Sequence, residues 1–244
     1  MAEAFLWGLV AASTLLLGAQ LTIWRPPRNR TLGLIMGFGS GVLLSAVAYE
    51  LVDEAIDTAG DLQSVVLGIF AGTAVFTVGD QIVARLGYRD RKDIHGEAPE
   101  ASPLTIVLGS LLDGIPESAV LGLTLLQTGS VSVAMFAAVL ISNLPEGIAA
   151  TAGLRAGGWT IPAVVSLWSG IALASAFAAG LGYAALDGAS TDVLAFILAF
   201  AGGAVLTMLA TSMMPEAYEH AGRSVGVLTV LGFTLAFVIA WLEG

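Results

Sequence analysis

Two stretches of the sequence place oxygen-bearing side chains one helical turn apart. Asp113 precedes Glu117 by four residues, and Ser142 precedes Glu146 by the same spacing, with Asn143 beside them. On a helix, residues at i and i+4 lie on one face as neighbours. Carboxylate, amide and hydroxyl oxygens are ligands for divalent cations. The two stretches therefore predict a cation site, provided that they lie on neighbouring helices.

The composition places these carboxylates in a membrane. The 244-residue chain is 57% hydrophobic and only 11% charged, whereas soluble proteins carry about 25% charged residues. Nine Lys and Arg stand against 19 Asp and Glu, which argues against a nucleic-acid partner because phosphate contacts need a basic patch. The lack of cysteine excludes a disulfide framework and thiol chemistry. We expect an all-α, polytopic membrane protein whose surroundings are the lipid bilayer.

Eight apolar stretches are long enough to cross a bilayer, for which a helix needs about 20 residues. With eight spans, all nine Lys and Arg fall on one side, which the positive-inside rule makes the cytoplasm. We expect a single transmembrane domain, 1–244, in the cytoplasmic (plasma) membrane, with both termini extracytoplasmic and a cytoplasmic loop at 87–102. The predicted helices, numbered 1 to 8 in chain order, are 4–24, 31–54, 62–86, 103–127, 131–154, 159–186, 190–214 and 224–242.

The carboxylates lie near the middle of predicted helices 4 and 5, where a charge costs about 2.5–3.5 kcal/mol on insertion scales. Each glutamate also follows a proline, Pro116 or Pro145. A proline cannot donate to the carbonyl four residues earlier, here that of Leu112 or Ile141. Such carbonyls persist at membrane depth where a cavity, water or an ion satisfies them. We therefore predict Pro-kinked helices 4 and 5 at the core, arranged as in transporter sites.

Further acids extend this pattern along the bundle. Glu216, after a third proline at the cytoplasmic end of helix 7, is predicted as an additional metal ligand. Glu50 on helix 2, Asp80 on helix 3 and Glu219 on helix 7 are candidate entrance or exit residues. The alternative for these three is interfacial snorkelling or helix capping.

These features resemble the ZIP (Zrt/Irt-like) family of divalent-metal transporters, whose signature is a His-Asn-x-Pro-Glu-Gly type motif on helix 4 and again on helix 5. The stretches 113–118 and 142–147 align with that motif without gaps. The resemblance implies eight helices, both ends extracytoplasmic, and a divalent ion (zinc, manganese, iron or cadmium) as transported substrate rather than cofactor. Carried over residue by residue, it places metal ligation on Asp113, Glu117, Asn143 and Glu146, with Ser142 a weaker ligand.

The chain departs from the family pattern at the histidines. Asp113 and Ser142 stand in their places, Gly114 replaces the following asparagine, and Leu173 stands where helix 6 often carries glutamate. Gly114 and Leu173 cannot serve as ligands of a second metal ion, and the sequence leaves open whether the site holds one ion or two. Without imidazole or thiolate, an all-oxygen shell suits Mn²⁺, Mg²⁺ or Ca²⁺ better than Zn²⁺. Binding is expected to be coupled to loss of a proton from Glu117 or Glu146.

Two other functions compete with metal transport. The same scaffold could carry a proton, a monovalent ion or an organic cation. An intramembrane hydrolase would need histidine ligands or a Ser–His or Ser–Lys pair. His95 is expected in the loop and His220 at a helix edge, so we expect no enzyme.

Small residues on helices 2, 3 and 6 predict close helix packing. The sequence leaves open whether this packing is within one chain or in a homodimer. The residues are Gly37, Gly39, Gly41, Gly68, Gly72, Gly180 and Gly182.

Overall fold

The computed structural model describes residues 1–25, 27–85 and 103–243; the side chains of 103–108, 112, 113, 116, 127, 128, 185 and 243 are outside that description. The predicted cytoplasmic loop at 87–102 lies outside the described residues.

Within these ranges the chain forms eight long helices and no strand, which confirms the prediction of an all-α protein. Every predicted helix has a counterpart. The helices are α1 (Ala2–Trp24), α2 (Asn29–Thr58), α3 (Leu62–Val83), α4 (Pro103–Thr128), α5 (Val133–Ala156), α6 (Ile161–Leu186), α7 (Thr191–Ala221) and α8 (Ser224–Glu243).

Seven of these helices are long and apolar enough to cross a bilayer when the described residues alone are considered. The remaining helix, α4, is 26 residues long, and the apolar part of its described side chains runs over Glu117–Leu126. The polytopic membrane architecture is therefore confirmed. The count of eight crossings stays a prediction, because part of α4 is outside the described side chains.

Two helices continue well beyond their predicted ends. α2 runs to Thr58 instead of 54 and α7 to Ala221 instead of 214, each through a π-helical segment. These segments are Val47–Asp53 and Leu209–Met213. The predicted ends were too early because hydropathy falls at the acidic residues while backbone hydrogen bonding continues. Segments of π-helix are rare and occur frequently at functional sites.

Polar side chains cap the first turn of several helices, which follow short connections. Asp61 accepts hydrogen bonds from the backbone N–H of Ser64 at 2.9 Å and from its hydroxyl at 2.7 Å, at the start of α3. These bonds lower the pKa of Asp61 below its usual value, the backbone bond most strongly. Ser132 caps α5 in the same way. Gly129, with φ of +74°, lets the chain turn back between α4 and α5, which makes these two helices antiparallel neighbours.

The helices form two groups by their most extensive contacts. In one group α1 packs against α5 and α6, and α6 also packs against α4. In the other α2 packs against α8 and the end of α7, and α3 packs along α7. The groups meet chiefly where α2 crosses α5, which is the helix that carries Ser142 and Glu146.

Glycine allows helices within each group to touch through their backbones. A Cβ on Gly41 of α2 would overlap the carbonyl of Thr229 in α8, and a Cβ on Gly72 of α3 would overlap that of Phe200 in α7. Gly182 is less tightly packed, since a Cβ there would lie 2.8 Å from the carbonyl oxygen of Ala119 in α4. Most of the small residues singled out in the sequence therefore pack within one chain, and their presence does not require a homodimer. Gly180 differs, since a Cβ there would make only ordinary contacts.

We expect Gly41→Ala and Gly72→Ala to destabilise the protein by about 1–3 kcal/mol each, the usual penalty for overpacking. Gly226→Ala in α8 is the matched control, because a Cβ there meets open space. Thermal unfolding in detergent measures all three. Unchanged stability of the Gly41 and Gly72 variants would contradict the backbone contacts.

Candidate metal site

A small cavity lies where α2, α4, α5 and α7 meet. Its volume is about 20 Å³, which is room for one water molecule or a bare ion. The structure therefore brings together three of the predicted ligands, one from α4 and two from α5. The lining residues are Met36, Glu117, Ser142, Pro145, Glu146, Met208 and Met213.

Glu117 and Ser142 are in direct contact across α4 and α5. The hydroxyl of Ser142 lies 3.3 Å from Oε2 of Glu117 and 3.1 Å from the carbonyl oxygen of Val139. Glu117 is only 2% exposed. A hydroxyl has one proton to donate, so an ionised Glu117 can accept it. A protonated Glu117 can instead donate to Ser142 while Ser142 donates to Val139. The same geometry thus satisfies both protonation states.

Pro145 lies inside α5 beside the cavity. The helix is continuous from Val133 to Ala156, and the proline has no N–H to donate to the carbonyl of Ile141. That oxygen lies 3.5 Å from the point where a Cβ on Gly39 would stand. Glycine on α2 therefore leaves space beside the carbonyl that the proline exposes, next to the cavity.

Asn143 is directed away from the cavity. Its Nδ2 donates to the carbonyl oxygen of Ala11 in α1 at 3.3 Å, and the residue is buried. The amide is therefore used to hold α5 against α1. The structure does not bring Asn143 to the cavity that Ser142 lines.

Asp113 lies on α4 one turn before Glu117, and its side chain is outside the described residues. Among the described side chains no group of three or more His, Cys, Asp or Glu could hold a metal ion. Of the carboxylates whose side chains the structure describes, Glu117 and Glu146 line the cavity.

Glu216 lies further along α7 and pairs with a histidine. Its Oε1 is 4.0 Å from Nε2 of His220, one turn on, and both side chains are largely buried. Glu216 does not line the small cavity; it follows Met213, which does, by three residues. His220, which was expected at a helix edge, lies beside this carboxylate in the structure.

A second, larger cavity of about 430 Å³ lies near the end of α2. Glu50, in the π-helical segment, lines it together with Asp53 and Glu54. Glu50 is 14 residues from Met36 of the small cavity, about 20 Å along a helix. Asp80 is partly exposed and Glu219 exposed, and neither lines either cavity. The other lining residues are Tyr49, Ser130, Val131, Ser132, Phe237, Ala240 and Trp241.

Sequence reasoning missed the three methionines that line the small cavity. Met36 comes from α2, and Met208 and Met213 come from α7. Methionine in an apolar helix gives no functional signal, because it is also an ordinary core residue. The cavity lining therefore contains thioether sulfurs beside the carboxylates, and the all-oxygen ligand shell stays a prediction.

A protein of Arabidopsis thaliana named "Putative zinc transporter" is 29% identical to the chain over 196 residues. The chain is similar to a protein that bears this name. The match covers 79% of the chain and 31% of the Arabidopsis protein, so the chain spans about a third of the length of that relative. No protein-family model matches the chain. The similarity confirms the resemblance to metal transporters that the two Pro-Glu motifs indicate, and the membrane-length helices make this an integral membrane protein.

Asn143→Ala is expected to lower the free energy of unfolding by about 0.5–1.5 kcal/mol, because the buried hydrogen bond that joins α5 to α1 is lost. The carbonyl oxygen of Ala11 keeps the hydroxyl of Thr14 as a donor at 2.8 Å. Metal affinity should stay within about twofold of the unmodified chain, since the amide does not reach the cavity. Thermal unfolding and calorimetric titration with Mn²⁺ measure the two quantities. Ser13→Ala, which removes a hydrogen bond inside α1 alone, is the control. Lost affinity with unchanged stability would place the amide on the ion instead.

Proposed function

We propose that the chain is a ZIP-type transporter, which moves a divalent metal ion through the small cavity by alternating access. The observation that carries this proposal is the meeting of Glu117 from α4 and Glu146 from α5 at one small cavity. Two carboxylates inside a bundle of membrane-length helices are expensive without a counter-ion. A divalent cation compensates their charge, and similarity to a named zinc transporter supports this substrate class.

In this proposal the ion is held by Glu117, Glu146 and Ser142, with Asp113 as the third carboxylate. Asp113 is one turn from Glu117 on α4, a spacing that allows both to reach one ion. Asn143 acts indirectly by fixing α5 to α1. Zinc, manganese, iron and cadmium are the candidate ions.

The second cavity and the Glu216–His220 pair give the ion a route on either side of the site. Glu50, Asp53 and Glu54 would collect cations at the extracytoplasmic mouth, because an acidic mouth raises the local cation concentration. Glu216 and His220 would receive the ion on the cytoplasmic side. This direction rests on the positive-inside rule, with both termini extracytoplasmic in the plasma membrane.

Alternating access is supported by how the two helix groups touch. Glycine brings backbones into contact within each group, whereas at the crossing of α2 with α5 a Cβ on Gly39 would lie 3.2 Å from the side chains of Ile141 of α5 and Met213 of α7. Flexible side chains repack more readily than backbones. The site lies at this crossing, so relative movement of the groups would expose it to one side or the other.

The contact between Glu117 and Ser142 also favours a second candidate, in which a proton is the transported ion. This contact accommodates both protonation states of Glu117. In the metal proposal the same feature makes the proton an exchange partner that leaves when the metal binds. The two candidates differ in whether a metal binds at all.

Glu117→Gln and Glu146→Gln are expected to reduce metal uptake into proteoliposomes at least about tenfold, because each replaces a charged ligand by a neutral amide of nearly the same shape. The control is Glu3→Gln, which changes an exposed carboxylate near the start of α1. Initial rates with Zn²⁺ or Mn²⁺ measure the effect at equal protein content. Uptake that persists in both site variants would refute the proposal.

Binding of Mn²⁺ to the purified chain in weak buffer is expected to release about one proton per ion. The release should disappear in Glu117→Gln, because the amide holds no titrating proton. A pH-indicator dye measures it. Failure to bind Mn²⁺ or Zn²⁺ at any pH would favour the proton, monovalent or organic cation instead.

A further inference from the structure

Two methionines of α7 reach the small cavity although they are five residues apart. In a regular α-helix such residues point about 140° away from each other, since each residue advances 100°. The π-helical segment Leu209–Met213 follows Met208 directly. Its i→i+5 hydrogen bonding brings residues five apart to nearly the same face. This local change of helix type is what places both Met208 and Met213 at the cavity.

Both methionines are enclosed by the surrounding helices. Each is only 5% exposed. The methyl group of Met213 is 3.2 Å from the point where a Cβ on Gly39 would stand, and Ile141 of α5 is equally near that point. Met213 is therefore held between α2 and α5, beside Ser142. Met208 and Met213 share the cavity with the carboxylates of Glu117 and Glu146.

A cavity lining that combines sulfur with carboxylates differs chemically from an apolar one. An apolar wall could be built from leucine, which is the commoner core residue and has more sharply defined rotamers. A thioether instead has lone pairs and is a soft ligand, suited to soft or borderline metal ions and poorly suited to Mg²⁺, Ca²⁺ or Mn²⁺. The lining therefore combines hard oxygen and soft sulfur donors around a space for one ion.

We propose that the thioethers of Met208 and Met213 are specificity-determining ligands that make the site prefer soft divalent ions, with Cd²⁺ favoured over Mn²⁺. This inference rests on the proposed transport site, which it deepens by naming the class of ion. The carboxylates supply charge compensation for any divalent ion. The sulfurs add affinity only for the softer divalent ions.

The first test compares Cd²⁺ and Mn²⁺ affinities of the purified full chain by calorimetry. Leucine replaces methionine at both positions, a change that conserves volume and apolar character. The double variant Met208→Leu/Met213→Leu should bind Cd²⁺ about tenfold more weakly and Mn²⁺ within about twofold of the unmodified chain. Met214→Leu, the next residue of α7 and not a lining residue, should change neither affinity.

The second test is X-ray absorption at the cadmium edge of the unmodified chain. The sequence has no cysteine, so any sulfur bound directly to cadmium comes from methionine. We expect a Cd–S contribution that is lost in the double variant and kept in Met214→Leu. On the unmodified chain this measurement decides whether methionine sulfur binds cadmium even if the double variant does not fold. In that case Met36→Leu, at the third lining methionine, should keep the Cd–S contribution.

The outcomes separate this inference from the function on which it rests. The inference alone would be overturned by any of three results: an equal loss of affinity for both ions, an unchanged Cd²⁺ affinity, or cadmium bound by oxygen alone. Each would show that the methionines serve only in packing. An unmodified chain that binds neither ion would overturn the proposed function as well.

Discussion

Polar groups inside a bilayer have no water to bind, so the protein itself must supply their partners. The described part of the bundle shows this repeatedly: Asn143 donates to a carbonyl of α1, Thr22 to a carbonyl of α5 at 3.2 Å, and Trp168 to Thr151 at 2.8 Å. Each of these hydrogen bonds joins two helices of the same group. Glu117 likewise lies 3.3 Å from the hydroxyl of Ser142, and it shares with Glu146 a cavity that has room for one water molecule or a bare ion.

Close approach of backbones gives this arrangement its stiffness. Because glycine brings α2 against α8 and α3 against α7, van der Waals contact replaces the hydrophobic driving force that lipid removes. The crossing of α2 with α5 lacks such an overlap at Gly39, and side chains fill it. The most adaptable packing of the bundle is therefore found beside the carboxylates.

Hydropathy predicted the helices well, because a membrane helix must be apolar over its whole length. Helical spacing likewise predicted that Ser142 and Glu146 face one point, and the turn at Gly129 brings them to Glu117. Asn143 was less predictable, because adjacent residues of a helix point about 100° apart and only the position of α1 decides which one faces the cavity. Met208 and Met213 were unpredictable for another reason. Their common face depends on a local change of hydrogen-bond register, and an apolar sequence carries no sign of it.

The π-helical segment of α7 also sets how this helix can change during evolution. A π turn contains one residue more than the α turn that it replaces. Deleting a single residue from 209–213 would restore a regular helix in which the present residues 208 and 213 are four apart and still share a face. Glu216 and His220 would then keep their direction relative to the preceding turns, whereas a deletion elsewhere in α7 would rotate them by about 100°. The segment 209–213 is accordingly where α7 tolerates the loss of one residue best, and alignments of related chains should show gaps there rather than in the regular turns.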